Sequence, residues 1–201
     1  MSARPETIVE RNSLTRKDWE QAALELIAQK GVGGLAVEPL ARRLGITKGS
    51  FYWHFPGRRE LLEAALARWE RQDEENLGRS LTAKEPPKER LEHFIWRTMQ
   101  QTLTHRIHLA LCAARDDACV RPVLERVTSR RLSFLGKALE ELGLDSAAAA
   151  ERATLLYSAY VGYLHLQSHQ LVPESGDDRL DGYIRHVIDN LIKPVASTSN
   201  P

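Results

Sequence analysis

The stretch LARRLGITKGSFYWHF, Leu40 to Phe55, limits the fold more than any other part of the 201-residue chain. Val37, Leu40, Ala41 and Leu44 share one side of a short helix, and Pro39 falls in its first turn, where a missing N–H costs little. Gly45 and Ile46 then turn the chain. Thr47 is placed to cap a second short helix by accepting from the Ser50 N–H, and Phe51 and Phe55, four residues apart, give that helix an apolar side. Helices this short have little stability alone, so the segment requires longer helices to pack against.

The flanking sequence supplies them. Thr15 followed by Asp18 resembles a capping box and opens a helix whose apolar positions, Trp19, Ala22, Ala23, Leu26 and Ile27, lie on one face. Gly31, Gly33 and Gly34 end it. After Pro56-Gly57 a fourth helix carries Leu62, Ala65, Leu66 and Trp69 on one side and is expected to fade near Gly78. The paired prolines of TAKEPPKE, Thr82 to Glu89, break the pattern. Beyond them the periodicity predicts helices over Lys88–Thr104, His105–Arg115, Val120–Leu142, Ser146–Gln170 and Arg179–Ile192, with PESGDD as a loop and PVASTSNP as a disordered tail. No alternating run supports a strand, so the fold class is all-α. The expected division is an N-terminal three-helix domain at 1–58 and a larger helical domain at 59–201, joined by the fourth helix.

A helix, a glycine-containing turn and a short second helix form a helix-turn-helix, whose second member enters the DNA major groove with its N-terminal residues at the base edges. Lys48 brings charge for phosphate or guanine, Gly49 and Ser50 allow close backbone approach, and Tyr52 and His54 can donate to phosphates. Trp53 can pack on sugar or a thymine methyl. Arg43 is a further candidate phosphate contact, while Phe51 and Phe55 belong to the core. Charge agrees: residues 1–59 hold ten Lys/Arg against six Asp/Glu, a net +4, and the remaining eighteen against twenty-one leave −3. A basic head on a mildly acidic body suits a polyanionic partner.

The segment from about Thr15 to Leu66, centred on LARRLGITKGSFYWHFPGRRELL, resembles the TetR/AcrR-type transcriptional regulators. The resemblance implies DNA-contact roles for Thr47, Lys48, Gly49, Ser50, Tyr52 and His54, and it aligns Arg58 with a family lysine that grips phosphate. It also implies a C-terminal domain that binds a small molecule, changes the spacing of two reading heads and releases DNA. The chain departs from the family at Leu35 and Ala36, where Ser or Thr is usual. Ala36 has no side chain to cap the second helix, a loss of about 1 kcal/mol, and Glu38 nearby would repel phosphate.

In the larger domain, ATLLYSAYVGYLHL is apolar nearly all round and needs covering on more than one side. Thr154, Ser158 and Gly162, spaced by four, form a small-residue stripe open to close helix approach. Tyr183, Val187 and Leu191 carry the amphipathic face of the last helix. These two helices are expected to meet their copies in a twofold homodimer, so the operator should be a palindrome with half-sites about one DNA turn, roughly 34–36 Å, or a multiple apart. Candidate effector-pocket residues are Phe94, Trp96, Met99, Leu103, Leu111, Tyr157 and Tyr160, although core packing calls for the same residue types.

His105, His108 and Cys112 lie along one helix face and His165 with His169 forms an i, i+4 pair, but neither set has the spacing of a known metal site. The histidines are expected at a pocket rim or in solvent. No metal or cofactor is assigned. The leading expectation is a homodimeric DNA-binding regulator, a repressor released by a small hydrophobic effector. A metal-sensing relative is the alternative, and a protein-interaction module without sequence-specific DNA binding comes after it. No nucleophile motif, phosphate loop or carboxylate pair points to an enzyme. Cys112 and Cys119 fit no disulfide framework, the N-terminus lacks a signal peptide's apolar run, and no stretch reaches bilayer length, so a cytoplasmic protein is expected.

Overall fold

A computed structural model describes residues 14–82, 84–172 and 178–192. Every regular element among them is helical. The PVASTSNP tail and nearly all of PESGDD lie outside the described residues.

The first helix, α1 (Arg16–Lys30), starts where the Thr15 N–H and hydroxyl both donate to Asp18 Oδ2 at 2.7 Å. It stops at Gly31, whose φ of 71° is open to glycine at little cost and lets its N–H reach the Ile27 carbonyl at 2.8 Å. Between them Trp19, Ala22, Ala23, Leu26 and Ile27 are buried on the face their spacing predicts. Glu20 is buried as well, held by Arg16 and by Arg68 and Arg71 of the fourth helix at 3.5–4.0 Å. Carboxylate burial of this kind requires such partners.

After a single 3-10 turn (Val32–Gly34) come α2 (Val37–Arg43) and α3 (Lys48–Tyr52), with Gly45 at φ 68° between them. Phe51 and Phe55 are fully buried, stacked at 5.7 Å, and the edge of Trp19 meets Phe51 at 5.3 Å. Thr47 differs from expectation. The Ser50 N–H bonds to the Thr47 main-chain carbonyl at 3.1 Å, and the Thr47 hydroxyl sits 3.2 Å from Ser50 Oγ. In a helix of little more than one turn the i to i+3 carbonyl has taken the amide that a side-chain cap would use.

The fourth helix, α4 (Arg58–Thr82), continues past Gly78 to a length of about 37 Å. Burial of Leu77 and Ser80 and a bond from Arg97 to Ser80 Oγ at 2.5 Å hold its last turns against the helix-weakening glycine. Then follow α5 (Pro87–Met99), α6 (Thr102–Ala113), α7 (Val120–Glu140), α8 (Ser146–Ser168) and α9 (Asp178–Leu191). The break between α5 and α6 falls at Gln100–Gln101, earlier than periodicity suggests. There His105 Nε2 takes the Thr98 carbonyl at 2.7 Å, satisfying a helix-end acceptor with a side chain.

Two cores result. One joins α1–α4 and also takes in Ile107, Leu111, Val120, Val123 and Val127 from α6 and α7, so packing crosses residue 58. The other gathers α5, α7, α8, α9 and the far end of α4 around Leu91, Phe134, Leu139, Leu156 and Ile184. The α7–α8 pairing is the most extensive helix contact. α4 enters both cores, with Leu61, Leu62, Ala65, Leu66 and Trp69 in one and Leu77 in the other.

Candidate functional site

The exposed tip of α3 is built on a rigid base. Buried Phe51 and Phe55 fix the helix, and the guanidinium of Arg16 covers the Phe55 ring at 4.3 Å while donating to the His54 carbonyl at 3.1 Å. On that base Thr47, Lys48, Gly49, Tyr52 and Trp53 are exposed, Trp53 at 90 %, with Ser50 and His54 half-buried. An aromatic ring so exposed on a well-packed helix has no structural work within the chain. At Gly49 an added Cβ would meet only Thr47 Oγ1, at 3.7 Å. The fold itself therefore does not demand glycine there.

Three cations around the tip, Lys48, Arg43 and Arg58, are already engaged. Lys48 Nζ pairs with Glu38 Oε1 at 2.9 Å, and this carboxylate raises the ammonium's pKa above its ordinary value. The pair is exposed on both sides, and such pairs exchange readily for other partners. Arg43 binds Glu25 at 2.6 Å and Gln29 at 3.2 Å, tying α2 to α1. In the protein alone Arg58 is already bonded: Nε donates to the Leu35 carbonyl and Nη2 to the Val32 carbonyl, both at 2.7 Å. These bonds staple the start of α4 to the loop after α1. The Val32 carbonyl also accepts from the Leu35 N–H at 3.2 Å, and the guanidinium fork reaches both carbonyls at once.

A cavity of about 70 Å³ lies between α4, α5, α7, α8 and α9. Phe94, Met99, Tyr157 and Tyr160 line it, as do Tyr183 and Val187, which the periodicity of α9 had assigned to the dimer. Trp96 packs on the C-terminal core without lining the cavity, Leu103 is exposed, and Leu111 is fully buried in the N-terminal core. Leu191 also packs on the C-terminal core. By contrast Thr154, Ser158 and Gly162 are exposed along α8, flanked by exposed Leu155 and Leu166.

Two charged groups of the cavity wall escape apolar periodicity. Asp73 of α4 and Arg131 of α7 are each 8 % exposed and joined through Asp73 Oδ1, to Nε at 2.8 Å and Nη2 at 2.7 Å. Asp73 Oδ2 and Arg131 Nη1 complete no hydrogen bond within the protein, nor does the Tyr160 hydroxyl beside them. Their positions carried a signal, since Asp73 follows Trp69 by four and Arg131 follows Val127 by four, on the inward faces. Next to the pair, Glu70 binds Arg126 at 2.7 Å and Arg130 at 3.3 Å, bonds that lower its pKa.

His105 and His108 are fully buried, not at a rim. Burial, with the positive charge of Arg131, lowers both pKa values, that of His108 to about 3. Because a carbonyl can only accept, His105 Nε2 carries the proton and Nδ1 is left as an acceptor. His108 Nε2 is 3.5 Å from Cys112 Sγ, while His165 and His169 are exposed with ring centres 4.8 Å apart. Among the described residues no three His, Cys, Asp or Glu side chains gather as metal ligands. No described helix is long and apolar enough to cross a membrane.

Residues 21–65 match the family described as "Bacterial regulatory proteins, tetR family". Over these residues the chain is similar to the TetR family. Over 53 residues the chain is 43 % identical to the HTH-type transcriptional regulator SrpR of Pseudomonas putida, 26 % of this chain and 25 % of that protein. It is equally identical over 53 residues to the class C tetracycline repressor protein of Escherichia coli, 26 % of this chain and 24 % of the repressor. The matched part thus spans about a quarter of these relatives. A TetR transcriptional regulator from Legionella pneumophila shares the whole fold, with a TM-score of 0.76 at 20 % identity over 90 % of this chain and 98 % of that one. The TetR-like fold accordingly extends through α4–α9, where sequence likeness to the curated relatives has ended.

Proposed function

We propose that the protein is a homodimeric TetR-type transcriptional regulator, a repressor that leaves a palindromic operator when a small hydrophobic effector enters the cavity. The observation that carries the reading is the α3 tip, where exposed Thr47, Lys48, Gly49, Tyr52 and Trp53 surround a helix fixed by a buried aromatic cluster. Lys48 exchanges Glu38 for a phosphate or a guanine edge, Gly49 admits the duplex, and Tyr52, Trp53 and His54 contact sugar and phosphate. Arg43 and Arg58 act behind them by fixing α2 and α4.

A second copy docks on the exposed α8 stripe of Thr154, Ser158 and Gly162, with Leu155 and Leu166 as its apolar flanks. At Gly162 nothing of this chain lies within 4 Å of an added Cβ, which leaves room for a facing helix. Asp73 lies fifteen residues from Arg58 on α4, about 22 Å along its axis, so effector entry at the cavity acts on the helix that carries the reading head. Footprinting on the DNA upstream of the protein's own gene tests the reading. Protection of two symmetric half-sites is expected; an unprotected region at micromolar protein contradicts it.

A further inference from the structure

The cavity's polar corner specifies a ligand chemistry. Asp73 and Arg131 are both more than nine-tenths buried and meet through one carboxylate oxygen only. Oδ2 is left as an acceptor and Nη1 as a donor, each buried and each without a protein partner. Groups of this kind are costly to leave unmet, and one hydroxyl, which donates one hydrogen and accepts others, answers both.

Charge narrows the class further. The carboxylate and guanidinium cancel, and burial together with the Arg131 charge holds the histidines behind them neutral. An anion would face Asp73 and a cation would face Arg131, each adding a charge with no counter-ion in a buried site. The rest of the wall carries no charge: Phe94, packed against Phe134 at 4.6 Å, Leu135, Tyr157 and Tyr183 supply apolar and aromatic surface, and Asn76, Thr98, Gln101 and Thr104 add neutral polar groups. With about 70 Å³ open, against the roughly 300 Å³ or more of a drug-sized site, only a small ligand fits with modest parting of the walls.

From this we infer that the effector is an uncharged, single-ring aromatic compound carrying a hydroxyl, its ring on the Phe94–Tyr183 wall and its oxygen between Arg131 Nη1 and Asp73 Oδ2. The inference rests on the reading of the cavity as the effector site and adds the ligand's class. A hydroxyl bound there meets the atoms that the Asp73–Arg131 contact between α4 and α7 leaves unused.

Isothermal titration of the full-length protein with four probes of one shape tests it: p-cresol, toluene, 4-methylbenzoate and 4-methylbenzylammonium. The expected result is p-cresol binding about tenfold or more tighter than toluene, the gain from hydrogen bonds to charged groups, with no heat from either ion. In the Asp73→Leu/Arg131→Met double variant, which leaves no unpaired charge, the preference for p-cresol falls below about twofold. Tighter binding of either ion, equal binding of p-cresol and toluene, or no heat from any probe at millimolar concentration overturns the inference. DNA binding by the unliganded protein separates the two readings: operator binding without p-cresol heat rejects the ligand class alone, and p-cresol heat without DNA binding rejects the regulator alone.

Discussion

Replacing Arg131 by Met probes the junction between cavity and α4. Met keeps much of the apolar stem that packs toward Trp69, whose ring lies 5.7 Å from the guanidinium carbon. What is lost is the partner of Asp73, a carboxylate that is 8 % exposed and bonded at 2.7 and 2.8 Å. Stranding a buried charge in this way costs about 3–5 kcal/mol. In a chain of this size about 1 kcal/mol moves Tm by roughly 2–4 °C, so a fall of roughly 6–20 °C is expected. Adding Asp73→Leu removes the stranded charge, and most of the loss should return, because apolar replacements of buried pairs are often neutral or stabilising. Thermal unfolding of wild type, single and double variants at one fixed protomer concentration measures this, since a dimer's Tm depends on concentration. A single variant within 2 °C of wild type, or a double variant no better than the single, refutes the reasoning.

Acid should weaken the fold through His108. Its pKa is pushed down to about 3 by burial and then by Arg131 and His105, so between about 6.5 and about 3 the unfolded chain takes up a proton that the native state refuses. Stability therefore falls with pH across that window by up to about 1.4 kcal/mol per unit, and urea titrations at pH 7, 6 and 5 should show His108→Gln flattening the fall. Arg58→Lys should lower stability by about 1–2 kcal/mol in the absence of DNA, because an ammonium cannot reproduce the fork to the Leu35 and Val32 carbonyls; a denaturation curve unchanged from wild type would return Arg58 to a phosphate role. Gly162→Trp, whose Cβ meets nothing of its own chain within 4 Å, should leave helicity unchanged and convert dimer to monomer by light scattering.

The N-terminal half was legible because its signals are local. Positive-φ glycines, a capping box and aromatics at helical spacing each specify structure within a few residues, and Gly31, Gly45, Thr15 and Phe51 stand accordingly. Periodicity identified the inward face of α9 but not what covers it. Tyr183 and Val187 meet the cavity of their own chain. The α5–α6 break was hidden because neither Gly nor Pro marks it; His105, from the next helix, takes the Thr98 carbonyl instead. The carbonyl bonds of Arg58 and the Asp73–Arg131 pair were not legible for a related reason. Whether a charged side chain meets phosphate, carbonyl or a buried partner depends on contacts 23 to 58 residues away.

The most direct test of the central claim, that the α3 tip enters DNA, is the operator affinity of Gly49→Leu measured by fluorescence anisotropy beside wild type in the same salt. The added side chain has room on the protein, with Thr47 Oγ1 at 3.7 Å as the nearest contact for its Cβ, so the fold and Tm should be unaffected. A loss of at least about tenfold in affinity, more than 1.4 kcal/mol, is the predicted result. Wild-type affinity from a folded Gly49→Leu protein would contradict it.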